Sequence, residues 1–224
     1  MNSRKDLVRI FDLLNRHFGD LRWWPAEEPF EVAVGAILTQ NTAWTNVEKA
    51  IAALKKKHLL SPDAISRIDE GTLADIIRPS GYYNVKANRL KSFVRFLWGE
   101  YAGEMGIMSA EELPALRNKL LNVRGIGQET ADSILLYACG KPVFVCDAYT
   151  RRILLRHRLI DDDADYRGIQ EMFMNCLPHD TALFNQFHAL IVYTGKTFCR
   201  KVPKCDPCPL RPLHAERAPV PRCA

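Results

Sequence analysis

A short glycine turn between two predicted helices has the residue types that could bind an anion. Gly125 and Gly127 flank Ile126 in the string VRGIGQET. Glycine enters the positive-φ region freely and lets another backbone approach closely. The helix that follows begins with unpaired N–H donors and partial positive charge. We therefore predict that this turn grips a DNA phosphate, with Arg124 and Thr130 on either side of it in the binding set.

A single carboxylate, Asp147, follows the second of these helices after the extended run VFVC. Cleavage of the bond between a sugar and a base passes through an oxocarbenium-like sugar, and a fixed anion beside that cation stabilises it. The same carboxylate could orient or deprotonate the attacking water. We predict Asp147 to be the catalytic carboxylate. Aspartate is also favoured just before a helix, and the two roles are compatible because a helix N-terminus keeps the carboxylate ionised.

Apolar side chains repeat at helical spacing through almost the whole chain, and no convincing strand pattern occurs. The stripes are Phe30, Val34, Ile37 and Leu38; Val47, Ile51 and Leu54; Leu90, Phe93, Val94 and Leu97; Leu113, Leu116, Leu120 and Leu121; Ala131, Ile134, Leu135 and Ala138; Ile153 and Leu154; and Phe184, Phe187, His188 and Ile191. A Gly-x-Gly pattern alone also fits an ordinary turn, but two flanking helices favour a phosphate clamp.

These patterns predict an all-α fold with two lobes. The predicted segments are 1–25, packing with the C-terminal lobe; 26–142, carrying the two helices and their hairpin; 143–198, a second helical lobe that starts at the aspartate; and 199–224, a cysteine-rich loop with a basic tail.

The composition is that of an ordinary globular protein, with 47% hydrophobic and 25% charged residues in 224. The longest apolar run, Val32 to Leu38, is too short to span a bilayer. The first residues, MNSRK, lead into a mixed-charge helix rather than a signal sequence. We expect a cytoplasmic, nucleoid-associated monomer with no membrane contact.

Positive charge and cysteines are both concentrated at the C-terminal end. Of the net charge of +5, segment 199–224 contributes +4, and it also holds four of the seven cysteines, in the pattern Cys199-x5-Cys205-x2-Cys208-x14-Cys223. Such clustering is typical of metal ligands rather than of a disulfide framework. The charge alone fits either a solvated tail or sequence-independent contact with phosphates.

Several ordered motifs together resemble a known family. The string VRGIGQETADSILLYACGKPVFVCDAYTRRIL resembles the helix-hairpin-helix, Gly/Pro-rich loop and aspartate of the endonuclease III superfamily of DNA glycosylases. The strings RWWPAEEPFEVAVGAILTQNTAWTNVEKAI and IIRPSGYYNVKANRL are similar to its 3-methyladenine DNA glycosylase III branch. The resemblance implies a two-lobed all-α fold that binds double-stranded DNA carrying a damaged base and flips one nucleotide into a pocket.

The resemblance also implies a base pocket and a residue that enters the duplex. Trp24, Pro25 and Trp44 match the pocket walls, and Gln40 in LTQNT matches the residue that fills the gap left by the flipped nucleotide. A purine alkylated on a ring nitrogen is cationic, so indole faces attract it by roughly 0.5 to 2 kcal/mol more than a neutral base. For Trp23 and Tyr82, core packing is the preferred interpretation.

The cysteine tail resembles the loop in which four thiolates hold a 4Fe-4S cluster in this family. Cys199, Cys205 and Cys208 match the first three ligands, and either Cys223 or His214 could be the fourth. We favour Cys223, because four cysteines are the commoner ligand set. A four-coordinate zinc site remains the alternative.

One departure from the family pattern bears on the reaction. Members that also cut the strand carry a lysine in the first turn after the hairpin, whereas this chain has Gln128 and Glu129 there. We therefore predict a monofunctional DNA glycosylase with weak or absent lyase activity. The predicted substrate is an alkylated purine such as 3-methyladenine. The alternatives are oxidised pyrimidines, mismatched bases, or a non-catalytic DNA-binding module.

Two runs of basic residues also follow helical spacing. The runs are Lys86, Arg89, Lys91 and Arg95, and Arg151, Arg152 and Arg156. Such faces are usually solvated, and the second run is a candidate for contact with phosphates.

Overall fold

The computed structural model describes residues 3–21, 23 and 28–216. These residues form helices and contain no β-strand, so the predicted all-α fold is confirmed. The helices are α1 (Ser3–Phe18), α2 (Pro29–Leu38), α3 (Trp44–Lys56), α4 (Pro62–Arg67), α5 (Glu70–Ile76), α6 (Tyr83–Tyr101), α7 (Met105–Ala110), α8 (Leu113–Leu121), α9 (Gln128–Ser133), α10 (Ala148–Arg156), α11 (Tyr166–Cys176), α12 (Thr181–Thr197) and α13 (Arg211–Glu216). A 3₁₀ turn spans Arg78–Ser80.

The chain divides into two compact units. The middle unit is Trp24–Lys141, and the terminal unit combines Met1–Trp23 with Pro142–Ala224. The terminal unit therefore contains α1 together with every helix from α10 onward.

Helix α2 is the central element of the middle unit. Every residue from Phe30 to Leu38 is buried, and α2 packs against α3, α6 and α9. A helix that is apolar all round must be enclosed by its neighbours. Its buried Glu31 is paired with Lys55 Nζ at 2.9 Å, which compensates the cost of burying that carboxylate.

The helix-hairpin-helix of the middle unit consists of α8 and α9 with residues 122–127 between them. A bidentate ion pair joins the two helices: Arg117 Nε donates to Asp132 Oδ1 at 2.7 Å, and Arg117 Nη2 donates to Oδ2 at 2.9 Å. The Asp132 side chain is completely buried. This pair fixes α9, and with it the hairpin, relative to α8.

The helix after the hairpin is not uniform. The apolar stripe predicts one α-helix through Ala138, but the α-helix ends at Ser133 and continues as a π-helical turn, Ile134–Ala138. This turn packs against α2, and Ile134, Leu135 and Leu136 are buried. Three consecutive buried residues cover a wider surface than a regular stripe would, so packing against α2 overrides the regular helical period.

The terminal unit is built around an aromatic core. Helix α12 packs against α1 and α10. The rings of Phe144 and Phe173 stack with centroids 3.7 Å apart, and Phe187 meets Phe11 edge to face at 5.3 Å. Residues Val143 to Cys146 are buried and are not part of a helix or strand, in agreement with the predicted connector. This stretch leads directly to Asp147.

Candidate active site and nucleic-acid interface

The two glycines of the hairpin differ in conformation. Gly125 has φ +87°, and a Cβ atom there would lie 2.3 Å from Arg89 Cγ. Gly127 has φ −93° and ψ −179°, an extended backbone that any residue adopts, and a Cβ there would meet open space. The conformational freedom of glycine is therefore used at Gly125 and not at Gly127. The close approach at Gly125 is made by a protein side chain, because the stem of Arg89 lies against its α-carbon.

The residues around the glycines divide between core and surface. Ile126 is buried, and its N–H donates to the Val123 carbonyl oxygen at 3.0 Å, so it anchors the hairpin in the core. Arg124 is exposed. Gly127 precedes α9 without a side-chain cap. The open face at Gly127 thus lies next to the donors of the first turn of α9.

Gln40, the predicted gap-filling residue, is bonded to the hairpin. Its Nε2 donates to Thr130 Oγ1 at 2.8 Å and to the Gly125 carbonyl oxygen at 3.2 Å. Its Oε1 accepts a short hydrogen bond from Arg89 Nη1. The structure therefore brings together three of the predicted DNA-binding residues, which are Gln40, Gly125 and Thr130. It adds Arg89, which the sequence places only on a basic helix face.

The basic face of α6 is solvated only in part: Arg95 is exposed, Arg89 and Lys91 are half-buried, and Lys86 is buried. Lys86 is 1% exposed and donates to the carbonyl oxygens of Leu38 at 2.8 Å and Ser80 at 2.6 Å. Burial, and secondarily the charge of Arg89, lowers the pKa of Lys86 to about 8. Lys91 donates to the carbonyl oxygens of Ser66 and Ile68. Lys86 binds the last carbonyl of α2 and thereby holds the start of the segment that carries Gln40.

The predicted pocket aromatics are described only in part. Trp44 begins α3, is half-buried, and donates from Nε1 to Glu48 Oε1 at 2.9 Å. Trp24 and Pro25 lie outside the described residues. Trp23 packs edge to face on Tyr193 at 5.8 Å with Lys196 over its ring, as expected for a packing role.

Tyr82 is an exposed side chain rather than a core one. Its side chain is 71% exposed, and its backbone has φ +46°, a left-handed conformation that is uncommon outside glycine. The preferred core-packing interpretation of Tyr82 is therefore wrong.

Asp147 caps helix α10 with one of its two oxygens. Oδ1 accepts from the Thr150 N–H at 2.8 Å and from Thr150 Oγ1 at 3.0 Å. The side chain is 13% exposed. The predicted cap is therefore present. Because both donors act on Oδ1, the orientation of the carboxylate is fixed while Oδ2 is left to other interactions.

His188 lies on the Oδ2 side of Asp147. Its Nε2 is 3.8 Å from Oδ2, and its side chain is 7% exposed. Burial lowers the pKa of His188, and the nearby Asp147 opposes that shift. The sequence did not indicate this pairing, because His188 appears there as one member of an apolar stripe. A titratable residue within an otherwise apolar helix face is the signal that could have found it.

The three cysteines that the structure describes in the tail share one cavity. Cys199, Cys205 and Cys208 line a cavity of about 220 Å³, with Arg156 and Lys204 also on its wall. The pKa of Cys208 is raised to about 11, first by burial and then by the neighbouring cysteines. Within 3–21, 23 and 28–216, no three His, Cys, Asp or Glu side chains converge as ligands of a single metal ion. Cys223 and the side chain of His214 lie outside the described part of the chain.

The arginines of α10 bind the cysteine loop. Arg152 Nε donates to the Cys199 carbonyl oxygen at 2.7 Å, and its guanidinium lies over the Tyr149 ring. Arg156 Nη1 donates to the Arg200 carbonyl oxygen at 2.6 Å and lies 3.2 Å from Cys199 Sγ. Arg152 and Arg156 are therefore not simply solvated, because their guanidinium groups are bound to this loop. Contact of this basic run with phosphates stays a prediction.

The family can be assigned by comparison with known proteins. The model of the HhH-GPD superfamily of base excision DNA repair proteins matches residues 34–179, a stretch that includes Gln40, the hairpin and Asp147. The chain belongs to this superfamily. The HhH-GPD chain is 46% identical over 212 residues to a candidate DNA repair glycosylase of Methanocaldococcus jannaschii, covering 94% of this chain and 96% of the relative.

Two further relatives connect this HhH-GPD protein with the predicted branches. It is 30% identical over 185 residues to endonuclease III of Sulfolobus acidocaldarius, covering 81% of this chain and 79% of the relative. It is also 30% identical to the H. pylori 3-methyladenine DNA glycosylase (MagIII), solved bound to 1,N6-ethenoadenine, with a TM-score of 0.74 over 88% of this chain and 98% of that one. The predicted superfamily is thus confirmed, and the protein is an endonuclease III-like DNA repair glycosylase. In the described part of the chain, no helix is long and apolar enough to cross a membrane.

Proposed function

We propose that this protein is a monofunctional DNA N-glycosylase that removes an alkylated purine, such as 3-methyladenine, from double-stranded DNA. The observation that carries the proposal is the arrangement at Asp147. A carboxylate fixed through one oxygen by Thr150, at the N-terminus of α10, keeps its other oxygen for a developing positive charge.

In the proposed reaction, the C1′–N bond of a flipped nucleotide breaks and its electron pair leaves with the base. Asp147 stabilises the oxocarbenium-like sugar through charge. A water oxygen then bonds to C1′, and its proton passes to Asp147 or to solvent. A base alkylated on a ring nitrogen carries a positive charge before cleavage and leaves as a neutral molecule. It therefore needs no proton donor at the leaving group.

The proposed DNA contacts lie on the hairpin. The open face at Gly127 and the first-turn donors of α9 suit a phosphate oxygen. The exposed Arg124 adds positive charge at the same turn. Ile126 supports the turn from the core. Gln40, which is bonded to the hairpin, is the residue proposed to enter the duplex.

The substrate class is supported by the aromatic set and by one relative. Electron-rich rings favour a cationic base, and Trp44, Trp24 and Pro25 are the proposed pocket walls. The H. pylori relative, named a 3-methyladenine DNA glycosylase, matches nearly its full length to this chain. The 30% identity to an endonuclease III supports a second candidate, a substrate of that branch such as an oxidised pyrimidine or a mismatched base.

Single-turnover base release from a panel of duplexes tests the substrate. Each duplex carries one alkylated, oxidised or mismatched nucleotide. We expect the fastest release from the duplex containing the N-alkylated purine. Faster release of an oxidised or mismatched base would transfer the assignment to the second candidate.

The absence of strand cleavage is supported by Gln128 and Glu129 in the first turn of α9. A lyase needs an amine that attacks C1′ and forms a Schiff base. We expect little covalent adduct when the reaction is run with borohydride. A strong protein–DNA adduct would contradict the monofunctional assignment.

We also propose that Cys199, Cys205, Cys208 and Cys223 hold a 4Fe-4S cluster. The fit is supported by the 220 Å³ cavity lined by the first three thiols, and by the backbone contacts from Arg152 and Arg156 that hold the loop. Zinc, which four cysteine or histidine ligands hold at about 2.0 to 2.3 Å, is the alternative occupant of the same residues. When bound, the cluster would brace the loop against α10 and α12.

The visible absorbance of anaerobically purified protein, with iron and zinc analysis, tests the cluster. We expect a coloured protein containing iron. A colourless protein loaded with zinc would establish the alternative.

A further inference from the structure

We propose that Arg89 is a phosphate-binding residue of the hairpin, and that its guanidinium passes from the Gln40 side chain to a DNA phosphate when Gln40 enters the duplex. This inference rests on the proposed function of Gln40 and of the hairpin. The residues that carry it all belong to the middle unit.

The stem of Arg89 is built into the hairpin. A Cβ at position 125 would lie 2.3 Å from Arg89 Cγ and 2.9 Å from Cδ and Nε. Glycine at this position therefore makes room for the arginine stem. The packed stem places the Arg89 guanidinium next to the turn. The planar guanidinium presents its donors in fixed directions, which a lysine ammonium does not.

The Gln40 amide forms hydrogen bonds with three polar groups beside the turn. Its Oε1 accepts from Arg89 Nη1, and its Nε2 donates to Thr130 Oγ1 and to the Gly125 carbonyl oxygen. These bonds are mutually compatible because one amide supplies both the acceptor and the donor. A single side chain thus covers a cation and a hydroxyl on the surface assigned to phosphate.

Movement of Gln40 into DNA breaks these bonds at the same time. The half-buried guanidinium of Arg89 then loses its acceptor, and an unpaired charged donor is costly at such a position. Within 28–216, the structure records Gln40 as the hydrogen-bond partner of Arg89, and Lys86 is the charged neighbour. A phosphate oxygen is a strong replacement acceptor for a guanidinium. The exchange therefore couples insertion at the lesion to an additional backbone contact.

The test compares the salt dependence of binding by Arg89→Met with that of the wild type. The duplexes are an undamaged one and one that carries a stable abasic-site analogue. Methionine keeps an apolar stem over Gly125 and removes the charge. Binding weakens as salt rises, and each neutralised phosphate makes the slope of log K against log salt steeper by about 0.9. For Arg89→Met we expect a slope that is shallower by about 0.9 on the abasic duplex. On undamaged DNA its slope should equal that of the wild type. Arg95→Met, on an exposed position of the same helix, is the control and should change neither slope.

A second variant keeps Arg89 intact in case Arg89→Met does not fold. Gln40→Ala removes the side chain that binds the Arg89 guanidinium, so its salt dependence on undamaged DNA should be steeper than that of the wild type by about 0.9. An unchanged slope for Arg89→Met on the abasic duplex, or equal losses on both duplexes, would overturn the exchange. Base release by the wild type separates the two proposals. If the wild type releases a base but Arg89→Met keeps the wild-type slope on the abasic duplex, the exchange alone is refuted. If Arg89→Met lowers that slope but the wild type releases no base from any duplex, the glycosylase assignment is refuted.

Discussion

Asp147 and His188 form the most informative pair of side chains in the terminal unit. Thr150 holds Oδ1 of the aspartate, and His188 Nε2 lies 3.8 Å from Oδ2. This distance is too long for a hydrogen bond but short enough for an interaction between charges. Because burial lowers the pKa of His188, the imidazole is neutral at pH 7. A neutral neighbour does not offset the negative charge that the proposed role of Asp147 requires.

Protonation of His188 should therefore destabilise the fold in mild acid. The unfolded chain takes up a proton near the ordinary histidine pKa of 6.5, whereas the folded chain resists it, so stability falls as pH drops below that value. Among the described groups, Asp147 favours the proton and Lys196 opposes it. Between pH 7.5 and 5.5, we expect the melting temperature to drop less for His188→Gln than for the wild type. Exposed His179→Gln is the control. Equal losses in the wild type and His188→Gln would refute this account.

At the residue scale, the sequence predicts positions better than it predicts partners. The cap at Asp147 follows from aspartate preceding a helix, and the structure confirms it. The neighbouring His188 comes from a helix more than thirty residues later, and no local pattern joins the two. The same is true of Arg89 and Gln40, which meet through folding of the middle unit.

The hairpin is the element whose two glycines should respond most differently to substitution. Gly125→Ala should cost at least about 1 to 2 kcal/mol, the penalty of an L residue in the left-handed region, because its new Cβ also displaces Arg89. Gly127→Ala should change stability by less than about 1 kcal/mol, since its φ is negative and its Cβ meets open space. Urea denaturation of both variants measures the difference. Equal costs would show that the hairpin geometry is wrong.

The ion pair between α8 and α9 should contribute measurably to the stability of the helix-hairpin-helix. Asp132→Ala removes a fully buried carboxylate with two bonds to Arg117, whose side chain is 25% exposed and can partly regain water. We expect a loss of about 2 to 4 kcal/mol, near the low end for a broken buried pair. Asp75→Ala breaks the exposed pair with Arg78 and should cost less than about 1 kcal/mol. Similar losses in urea denaturation would argue against a structural role for Asp132.

Helical periodicity predicts most elements of this fold but not their irregularities. The stripes of α2, α3, α6, α8 and α12 are in helices, because an apolar face must be buried by its neighbours. The π-helical turn after Ser133 was not predicted, since tertiary packing against α2 produces it. The burial of Lys86 was not predicted either, because its two carbonyl partners belong to other segments.

Across the whole molecule, several of the basic residues hold the fold together. Lys86 binds carbonyl groups of the middle unit, and Arg152 and Arg156 bind the cysteine loop. Composition gives the net charge of +5 but cannot tell these cations from ones that face DNA. The proposed DNA contacts therefore involve a small set, led by the hairpin and Arg124.

The central claim is that Asp147 acts on the sugar and does more than cap a helix. Asp147→Asn tests it, because asparagine caps a helix as well as aspartate does and preserves folding. The matched control is Asp180→Asn, since Asp180 caps α12 in the same unit by accepting from the Leu183 N–H at 2.6 Å.

The measurement is single-turnover base release from the preferred duplex, alongside the dissociation constant for an abasic-analogue duplex. For Asp147→Asn, we predict a loss of release on the order of a hundredfold or more, with binding nearly unchanged. Asp180→Asn should match the wild type in both. Base release by Asp147→Asn at the wild-type rate would contradict the account and leave Asp147 as a helix cap.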